Sequence, residues 1–366
     1  MLKEGGGMFS KLKVISVFLD GKMVGRLALT PENLCAFEYD PEFLKNGQSI
    51  SPFYLPLQPS VFIARRDPFN GNFGVFNDSL PDGWGNLLLD RYMASMNINP
   101  SGLNILDRLS IVGASGMGAL EYVPDNSYSF IEGNPDLNFL AMEADKILHQ
   151  KDTGESLETL FHFGGSSGGA RPKVLINISG EEWIIKFRSS SDPMNIGQIE
   201  YQHSLLAKEC GIIMPETRLF EGKYFGVKRF DREGNEKFHT LSAAGLLNAD
   251  YRIPSLDYQS LLTACFKLTV NIEEVYKLFR QMVFNILIKN RDDHAKNFSF
   301  LFKNGAWMLS PGYDLLPSNG FNGFHTTTIA GQGDPKYSDI EKVAENLKLN
   351  KKRYRDIYEQ IKEKCS

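Results

Sequence analysis

The chain has 366 residues, of which 42% are hydrophobic and 23% are charged, and its formal net charge is −4. This composition is typical of a globular protein long enough for two or three domains, and its acidic balance excludes a general attraction to DNA, RNA or anionic lipid. The four cysteines are scattered, and no apolar run approaches the length of a membrane span. We therefore expect free thiols, a cytoplasmic location and no membrane contact.

The first part of the chain predicts mainly β-structure. Two apolar runs flank Asp20-Gly21, which indicates a β-hairpin. The Pro-rich stretch SPFYLPLQPSVFI favours extended backbone, and Pro81 and Asp82 precede a helical stretch. We therefore expect a small, mainly-β N-terminal domain over residues 1–112.

Residues 113–232 predict a small sheet that carries one helix and one glycine-rich loop. The loop GGSSGGARPK precedes a strand over residues 174–178, and a second strand ends at Lys186. The amphipathic helix that follows carries Glu200 near its start and ends at Gly211. A further hairpin, TRLFEGKYFGVKRFDR, completes this unit.

Residues 233–366 predict a mainly helical unit, so the fold class is α+β. The longest helix begins with Asn271 as a cap and has Glu274 three residues later, which is the pattern of a capping box. The charged stretch IKNRDDHAKNFSF follows this helix and leads into a hairpin around Asn304-Gly305.

The charged stretch contains the residue types that phosphoryl transfer requires. Asp292 and Asn297 are five residues apart, and Asp314 follows just after the hairpin. In phosphotransferases one carboxylate orients the attacking hydroxyl, while an Asn and a second Asp hold magnesium on the phosphates. A charged surface turn has the same composition, so this stretch alone leaves both interpretations open.

The glycine-rich loop supplies the other half of such a site. Its backbone N–H groups can donate hydrogen bonds to phosphates. Lys186, on the second strand after the loop, can bind the phosphates, and Glu200 can form an ion pair that positions this lysine. Each feature also has an ordinary structural explanation, but five features in this order predict a phosphotransferase that uses ATP and magnesium. His294 could touch phosphate or brace the loop, and Lys296 could neutralise phosphate charge or lie in solvent.

The motifs GGSSGGARPK, WIIKF, YFGVKRFDR, RDDHAKNFSF and LSPGYDLLPS resemble those of the HipA family. PFYLPLQP, FNDSLPDGWG and SIVGASGMGALEYVP resemble the short domain that precedes the kinase core in that family. Its members are serine/threonine protein kinases that act as toxins of bacterial type II toxin–antitoxin systems. The resemblance covers nearly the whole chain and implies a two-lobed protein-kinase-like fold, with a small β-rich lobe over residues 113–232 and a helical lobe over residues 233–366.

The resemblance also implies roles for individual residues. Asp292 is implied as the catalytic base, Asn297 and Asp314 as magnesium ligands, and Lys186 as a contact to the ATP phosphates. Ser166, or the adjacent Ser167, matches the serine that such kinases autophosphorylate. The implied ATP-binding positions are Gly168, Gly169, Ala170, Arg171, Pro172 and Lys173 around the nucleotide, Lys228, Arg229 and Phe230 in the hinge under adenine, and His294, Ala295, Lys296, Asn297, Tyr313 and Asp314.

The chain departs from the family pattern at two positions within these motifs. Asp293 stands where a small residue is more usual, and we expect its charge to lie beside the phosphates. Lys228 replaces an acidic residue in the hinge, where adenine is read mainly by backbone. The helical part is also shorter than in long family members, which affects the expectations about partners.

The implied partners are a HipB-like helix-turn-helix antitoxin and a protein substrate, a translation factor or an aminoacyl-tRNA synthetase. DNA would be contacted mainly through the antitoxin. Two alternatives remain open at this stage. One is a small-molecule or phosphoinositide-like lipid kinase, since D-x-H-x-x-N also resembles those loops. The other is a catalytically silent partner that represses transcription together with an antitoxin.

Overall fold

The computed structural model describes residues 11–127, 135–151, 154–164 and 168–366. The strands are β1 (Val14–Leu19), β2 (Lys22–Leu29), β3 (Cys35–Tyr39), β4 (Val61–Ile63), β5 (Leu120–Val123), β6 (Lys173–Ile178), β7 (Glu181–Lys186), β8 (Thr217–Phe220), β9 (Tyr224–Lys228), β10 (Arg232–Glu233), β11 (Glu236–Lys237), β12 (His239–Ser242), β13 (Leu256–Asp257), β14 (Ser299–Lys303), β15 (Ala306–Leu309) and β16 (Thr327–Thr328).

The α-helices are α1 (Pro41–Asn46), α2 (Gly74–Asn77), α3 (Gly83–Ser95), α4 (Ile105–Val112), α5 (Leu137–Leu148), α6 (Gly154–Gly164), α7 (Ile196–Glu209), α8 (Ala243–Leu247), α9 (Tyr258–Thr269), α10 (Ile272–Leu287), α11 (Tyr337–Asn346) and α12 (Lys351–Cys365). Short 3-10 helices span Pro100–Gly102 and Ala295–Asn297. In the described part of the chain, no helix combines the length and apolar character that crossing a bilayer requires.

The N-terminal sheet is antiparallel with strand order β4-β3-β2-β1-β5. The predicted hairpin around Asp20-Gly21 is confirmed, because both residues have positive φ and join β1 to β2 through a two-residue turn. β5 lies beyond the predicted boundary at residue 112 but pairs with β1. The N-terminal sheet therefore extends to Val123.

The small lobe is built on a second antiparallel sheet with strand order β6-β7-β9-β8. The predicted strands over 174–178 and up to Lys186 are confirmed as β6 and β7. Helix α3, which belongs by sequence to the predicted N-terminal domain, packs against this lobe: the Trp84 indole donates to the Lys173 carbonyl at 3.1 Å. Trp84 and Leu88 share a buried cluster with Val174 and Ile185, so α3 covers one face of the small lobe.

The helical lobe surrounds α10, whose predicted cap at Asn271 is confirmed, since its side chain accepts from the Glu273 N–H at 3.0 Å. The predicted capping box is wrong in its second half. The Glu274 carboxylate instead accepts from the Leu309 N–H at 2.9 Å and pairs with Lys277. The buried Glu274 carboxylate therefore joins α10 to β15 instead of completing a capping box.

One contiguous apolar cluster joins the N-terminal sheet to the helical lobe. It contains Phe37 and Tyr122 from the sheet together with Leu241, Tyr258 and Phe279 from the helical lobe. Burying these large side chains from both parts in a single cluster supplies a major share of the hydrophobic stabilisation. The orientation of the N-terminal sheet on the helical lobe is therefore fixed by a common core.

Candidate active site

The strand lysine lies at the junction of the two lobes. Lys186 is the last residue of β7, and its ammonium forms ion pairs with Glu200 of α7 and with Asp314 of the helical lobe. Only 11% of the Lys186 side chain is exposed, and Glu200 is buried. The structure thus brings three predicted site residues from distant parts of the chain into direct contact.

The opposite charges of Lys186 and Asp314 stabilise each other's ionised forms. Burial alone would lower the pKa of Lys186, but the carboxylates of Asp314 and Glu200 outweigh it and raise that pKa. Burial would raise the pKa of Asp314, but Lys186 and Lys173 hold it below its usual range. Lys186 is therefore cationic and Asp314 anionic at neutral pH.

The glycine loop adds a second buried lysine. Lys173 is the cross-strand partner of Lys186, and its ammonium donates to the Gly168 carbonyl at 2.5 Å. Burial, followed by the charge of Lys186, lowers the pKa of Lys173 to about 8. Gly169 has φ +83, a backbone conformation that favours glycine, and a Cβ there would displace the Lys173 ammonium.

Arg171 brings a third cation to the same place. Its guanidinium lies 3.0 Å from the Asp192 carboxylate and 3.8 Å from that of Glu200. The neighbouring Pro172 carbonyl accepts from the Phe187 N–H at 2.8 Å, which holds the loop against the end of β7. Together with the two lysines, Arg171 gives this side of the site the charge that a polyphosphate requires.

The predicted catalytic loop closes the opposite side of the site. The Asn297 amide donates to the Asp292 carbonyl at 2.6 Å across the short helix Ala295–Asn297, which leaves its side-chain oxygen available as a ligand. The Asp292 side chain is 62% exposed. Desolvation raises its pKa, the nearby His294 imidazole at 3.9 Å opposes this, and the charge of Asp314 adds to the rise.

Asp293 does not lie where the sequence suggested. Its side chain is fully buried and accepts hydrogen bonds at 2.9 Å from the Tyr258 hydroxyl and the Thr326 N–H. It also contacts His325 at 2.9 Å and the Thr327 N–H at 3.2 Å. The expectation of a charge beside the phosphates is wrong, because these four groups solvate the carboxylate inside the helical lobe.

A buried chain of hydrogen bonds runs from Asp293 to the backbone of Asp314. Asn285 donates to the Tyr258 hydroxyl at 3.0 Å and accepts from the Asn290 amide at 3.0 Å. Asn290 also donates to the Asp314 carbonyl at 3.1 Å. Asp314 has φ +53, a conformation that its polar type tolerates. The loops of Asp292 and Asp314 are thereby held to the same polar network.

His294 and Lys296 are both tied into the fold. The His294 imidazole accepts from the Lys296 N–H at 3.2 Å, which braces the loop. The Lys296 ammonium pairs with Asp82 at 2.9 Å and lies 4.3 Å from the centre of the Tyr251 ring. Lys296 therefore does not lie in solvent. Asp82, which the sequence indicates only as preceding a helix, links the N-terminal region to the predicted catalytic loop.

The remaining predicted positions that the structure describes are held by contacts within the chain. Tyr313 donates from its hydroxyl to the Lys296 carbonyl at 2.7 Å and stacks on Phe230 at 5.5 Å, and Ala295 is buried. Lys228 pairs with Glu181 at the sheet surface. Arg229 is buried in ion pairs with Asp231 and Glu182. Ser166 and Ser167 lie outside the described residues.

The donor set fits magnesium held together with a nucleotide. Within the described ranges no three His, Cys, Asp or Glu side chains gather to hold a metal by themselves. Asp314 and Asn297 offer two hard oxygen donors, and magnesium completes its shell with phosphate oxygens and water. The cations of the small lobe and these oxygen donors are therefore of the types that a magnesium–polyphosphate complex requires.

Comparisons with known proteins identify the family of the chain. The family model described as the HipA-like C-terminal domain matches residues 165–366, and that of the HipA N-terminal domain matches residues 15–123. A protein of Sinorhizobium fredii, Y4dM, whose name assigns it provisionally to the kinases, is 23% identical over 340 residues, covering 84% of this chain and 77% of its own length.

Two further matches come from Shewanella oneidensis. Its serine/threonine-protein kinase toxin HipA is 20% identical over 354 residues, covering 86% of this chain and 77% of the toxin. The solved complex of that organism's HipA, HipB and operator DNA gives a TM-score of 0.71 at 19% identity, covering 96% of this chain and 88% of the matched chain. The predicted α+β, two-lobed kinase-like fold is confirmed by this match.

Proposed function

Because this chain belongs to the HipA family, a family of kinases, we propose that it transfers the terminal phosphate of ATP to a serine or threonine hydroxyl of a protein. The observation that carries the proposal is the contact of Lys186 with both Glu200 of the small lobe and Asp314 of the helical lobe. This is the lysine–glutamate pair and metal-binding aspartate that protein kinases bring together.

Each residue has a role that follows from its surroundings. Asp292, exposed and with a raised pKa, accepts the proton of the substrate hydroxyl. Asn297 and Asp314 hold magnesium, which when bound neutralises charge on the transferred phosphate. Lys186, Lys173 and Arg171 bind the phosphate oxygens. Positioning and charge stabilisation, rather than covalent chemistry on the protein, supply the acceleration.

The rest of the nucleotide site follows from the family pattern. We propose that residues 168–173 cover the phosphates, that the segment Lys228 to Phe230 passes under adenine, and that Tyr313 supports it through its stacking on Phe230. Residues 1–112, 113–232 and 233–366 remain our proposed units. Autophosphorylation of Ser166 would add charge to the glycine loop and exclude nucleotide.

The proposed partners rest on the family. A HipB-like helix-turn-helix antitoxin is supported by the matched complex, which contains HipA, HipB and operator DNA. The net charge of −4 agrees with DNA contact mainly through such a partner. We further propose a cytoplasmic location and a translation factor or aminoacyl-tRNA synthetase as the substrate.

Intact-mass measurement tests the proposed activity. We expect the purified protein to gain one phosphate with ATP and magnesium, and Asp292→Asn to slow this gain by about 10²–10⁴-fold, the usual effect of losing a general base. Ser166→Ala should prevent the gain without preventing phosphorylation of other proteins.

Asp356→Asn, an exposed carboxylate on α12, is the matched control and should behave as wild type. Phosphate transfer to lipids or metabolites with none to protein would contradict the proposal, and so would a fully active Asp292→Asn.

A further inference from the structure

Two exposed phenylalanines stand opposite each other on a tight turn after Asp314. Phe321 is 56% exposed and Phe324 is 52% exposed. Between them, Asn322 (φ +53) and Gly323 (φ +80) form a two-residue turn with both φ values positive, which is the turn type that Asn-Gly favours in hairpins. The Phe324 N–H donates to the Phe321 carbonyl at 3.0 Å. Directly opposed residues project from the same face, so the two rings form one apolar patch.

The turn is mounted on the backbone of the proposed catalytic loop. On one side the Ser318 N–H donates to the Lys289 carbonyl at 3.0 Å, and on the other the Thr326 N–H donates to the Arg291 carbonyl at 3.1 Å. A side chain at Gly320 would clash with Arg291, the residue that precedes Asp292. The two rings are therefore held a few residue lengths from the proposed base.

Other contacts keep the patch in a fixed position. The His325 N–H donates to the Gly333 carbonyl at 2.8 Å, and a Cβ at Gly333 would crowd the Phe324 side chain at 3.0 Å. The buried Asp293 accepts from the Thr326 N–H, as described above. A mobile loop could fold its rings inward, but a turn bound on both sides keeps them exposed.

Scattered exposed apolar side chains are common on protein surfaces. Phe321 and Phe324, however, lie opposite each other on a turn that is bonded to the proposed catalytic loop. Aromatic anchors on preorganised surfaces contribute strongly to protein recognition. Neither ring joins a described core cluster, so packing within the chain does not account for them. Because the turn is bonded to the backbone on both sides of Asn290 and next to Asp292, the rings are well placed to contact the molecule whose hydroxyl reaches Asp292.

We propose that the turn over residues 320–324 is a docking surface for the protein substrate and selects an apolar side chain close to the serine or threonine that receives phosphate. The inference rests on the proposed kinase function and specifies its substrate class. An extended peptide advances by about 3.3 Å per residue, so the selected side chain lies within about four positions of the acceptor.

Synthetic peptides test this inference. Each peptide carries one acceptor serine in a Gly/Lys background, with Leu, Phe or Asp placed in turn at each of the four positions on either side. We expect the wild-type protein to prefer Leu or Phe over Asp at one of these positions by about tenfold in kcat/KM, the effect of one well-buried apolar contact. The preference should reside in KM rather than kcat, because the rings bind peptide and do not touch the reacting atoms.

The variant Phe321→Ser/Phe324→Ser should lose this preference, while Phe321→Leu/Phe324→Leu should keep most of it. Phe139→Ser, a change at a 46% exposed ring on α5, is the matched control and should keep all of it. Thermal unfolding of each variant shows whether the fold is intact, and the Leu variant keeps the test valid if the Ser variant unfolds.

The outcomes separate this inference from the function on which it rests. Transfer to peptides without any apolar preference, or a preference that survives in the Ser variant, would overturn the docking surface alone. Self-phosphorylation without transfer to any peptide would do the same. Absence of phosphate transfer to every protein and peptide would overturn the kinase proposal and this inference together.

Discussion

At the scale of single residues, the small lobe places two lysines side by side on neighbouring strands. Lys173 and Lys186 are cross-strand partners, an arrangement that is destabilising without compensating charge. Lys186 forms ion pairs with two carboxylates, whereas the hydrogen bond of the Lys173 ammonium among the described residues is to a backbone carbonyl, and its pKa is lowered to about 8. This asymmetry leaves Lys173 as the cation that an incoming polyphosphate would stabilise.

We therefore expect ATP affinity to depend on pH through Lys173. Below its pKa of about 8 the ammonium is charged before and after binding, so protonation adds no pH dependence. Above that pKa, binding must first restore the proton, and affinity should fall by up to about tenfold per pH unit. Calorimetric titration from pH 7.5 to 9.5 measures this, and proton uptake should appear as a buffer-dependent binding enthalpy.

Lys173→Arg is the matched variant, because arginine keeps its charge throughout this range. Its ATP affinity should be nearly independent of pH between 7.5 and 9.5. An equal decline in the wild type and in Lys173→Arg would show that another group is responsible.

At the scale of elements, the proposed catalytic loop is held in place by hydrogen bonds to Asp293. Its carboxylate receives hydrogen bonds from the start of α9 and from the segment that enters β16. The same residue connects through Tyr258 and Asn285 to the loop of Asp314. A buried, fully satisfied polar network of this kind fixes one arrangement of the loops that carry it.

Replacing Asp293 with alanine should both destabilise the protein and slow phosphate transfer. The change strands several buried donors, and breaking a buried charged network of this kind costs about 3–5 kcal/mol. Urea denaturation measures the loss of unfolding free energy, and single-turnover kinetics measure the loss of rate.

Tyr258→Phe provides the graded comparison, since it removes one hydroxyl from the same network and should cost about 1–2 kcal/mol. Unchanged stability in Asp293→Ala would contradict a supporting role for the carboxylate.

The same elements show which features can be predicted from residues that are close together in the sequence and which cannot. The hairpin around Asp20-Gly21 and the cap at Asn271 depend on residues close together in the chain, and the structure confirms both. Asp293 and Glu274 were misplaced, because their hydrogen-bond partners come from segments 32 to 35 residues away. The Asp82–Lys296 pair spans 214 residues, and no local pattern identifies such a partner.

At the scale of the whole molecule, the N-terminal region is joined to the segment after β9 by buried charge. Asp231 accepts from the Gly118 N–H at 2.7 Å and pairs with Arg229 at 2.7 Å and Arg232 at 2.9 Å. Both guanidinium groups also donate to the Gly116 carbonyl. Residues 116–118 lie just before β5, so the end of the N-terminal sheet and the region proposed as the hinge share one ionic cluster.

This cluster shows why composition alone gives little information on how the segment after residue 112 is held. The loop GASGMGA looks like a linker because it is rich in small residues. Its carbonyl groups, however, are acceptors for two arginines more than 110 residues away. Small residues are present there because backbone, not side chains, makes the contacts. The glycine pattern is visible in the sequence, but its partner is not.

The cluster predicts an acid-sensitive part of the stability. Burial would raise the pKa of Asp231, but Arg229 and Arg232 lower it to about 2, so its stabilising contribution is complete above the usual aspartate pKa and is lost as pH falls toward 2. Asp231→Asn should reduce the unfolding free energy by about 3 kcal/mol at pH 7. The difference in unfolding free energy between wild type and Asp231→Asn should then shrink by about 2 kcal/mol between pH 5 and pH 2.

Urea denaturation across this range measures the difference. Asp356→Asn is the exposed control, and its offset from wild type should stay small at every pH. A gap between wild type and Asp231→Asn that stays constant down to pH 2 would show that folding does not lower the pKa of Asp231.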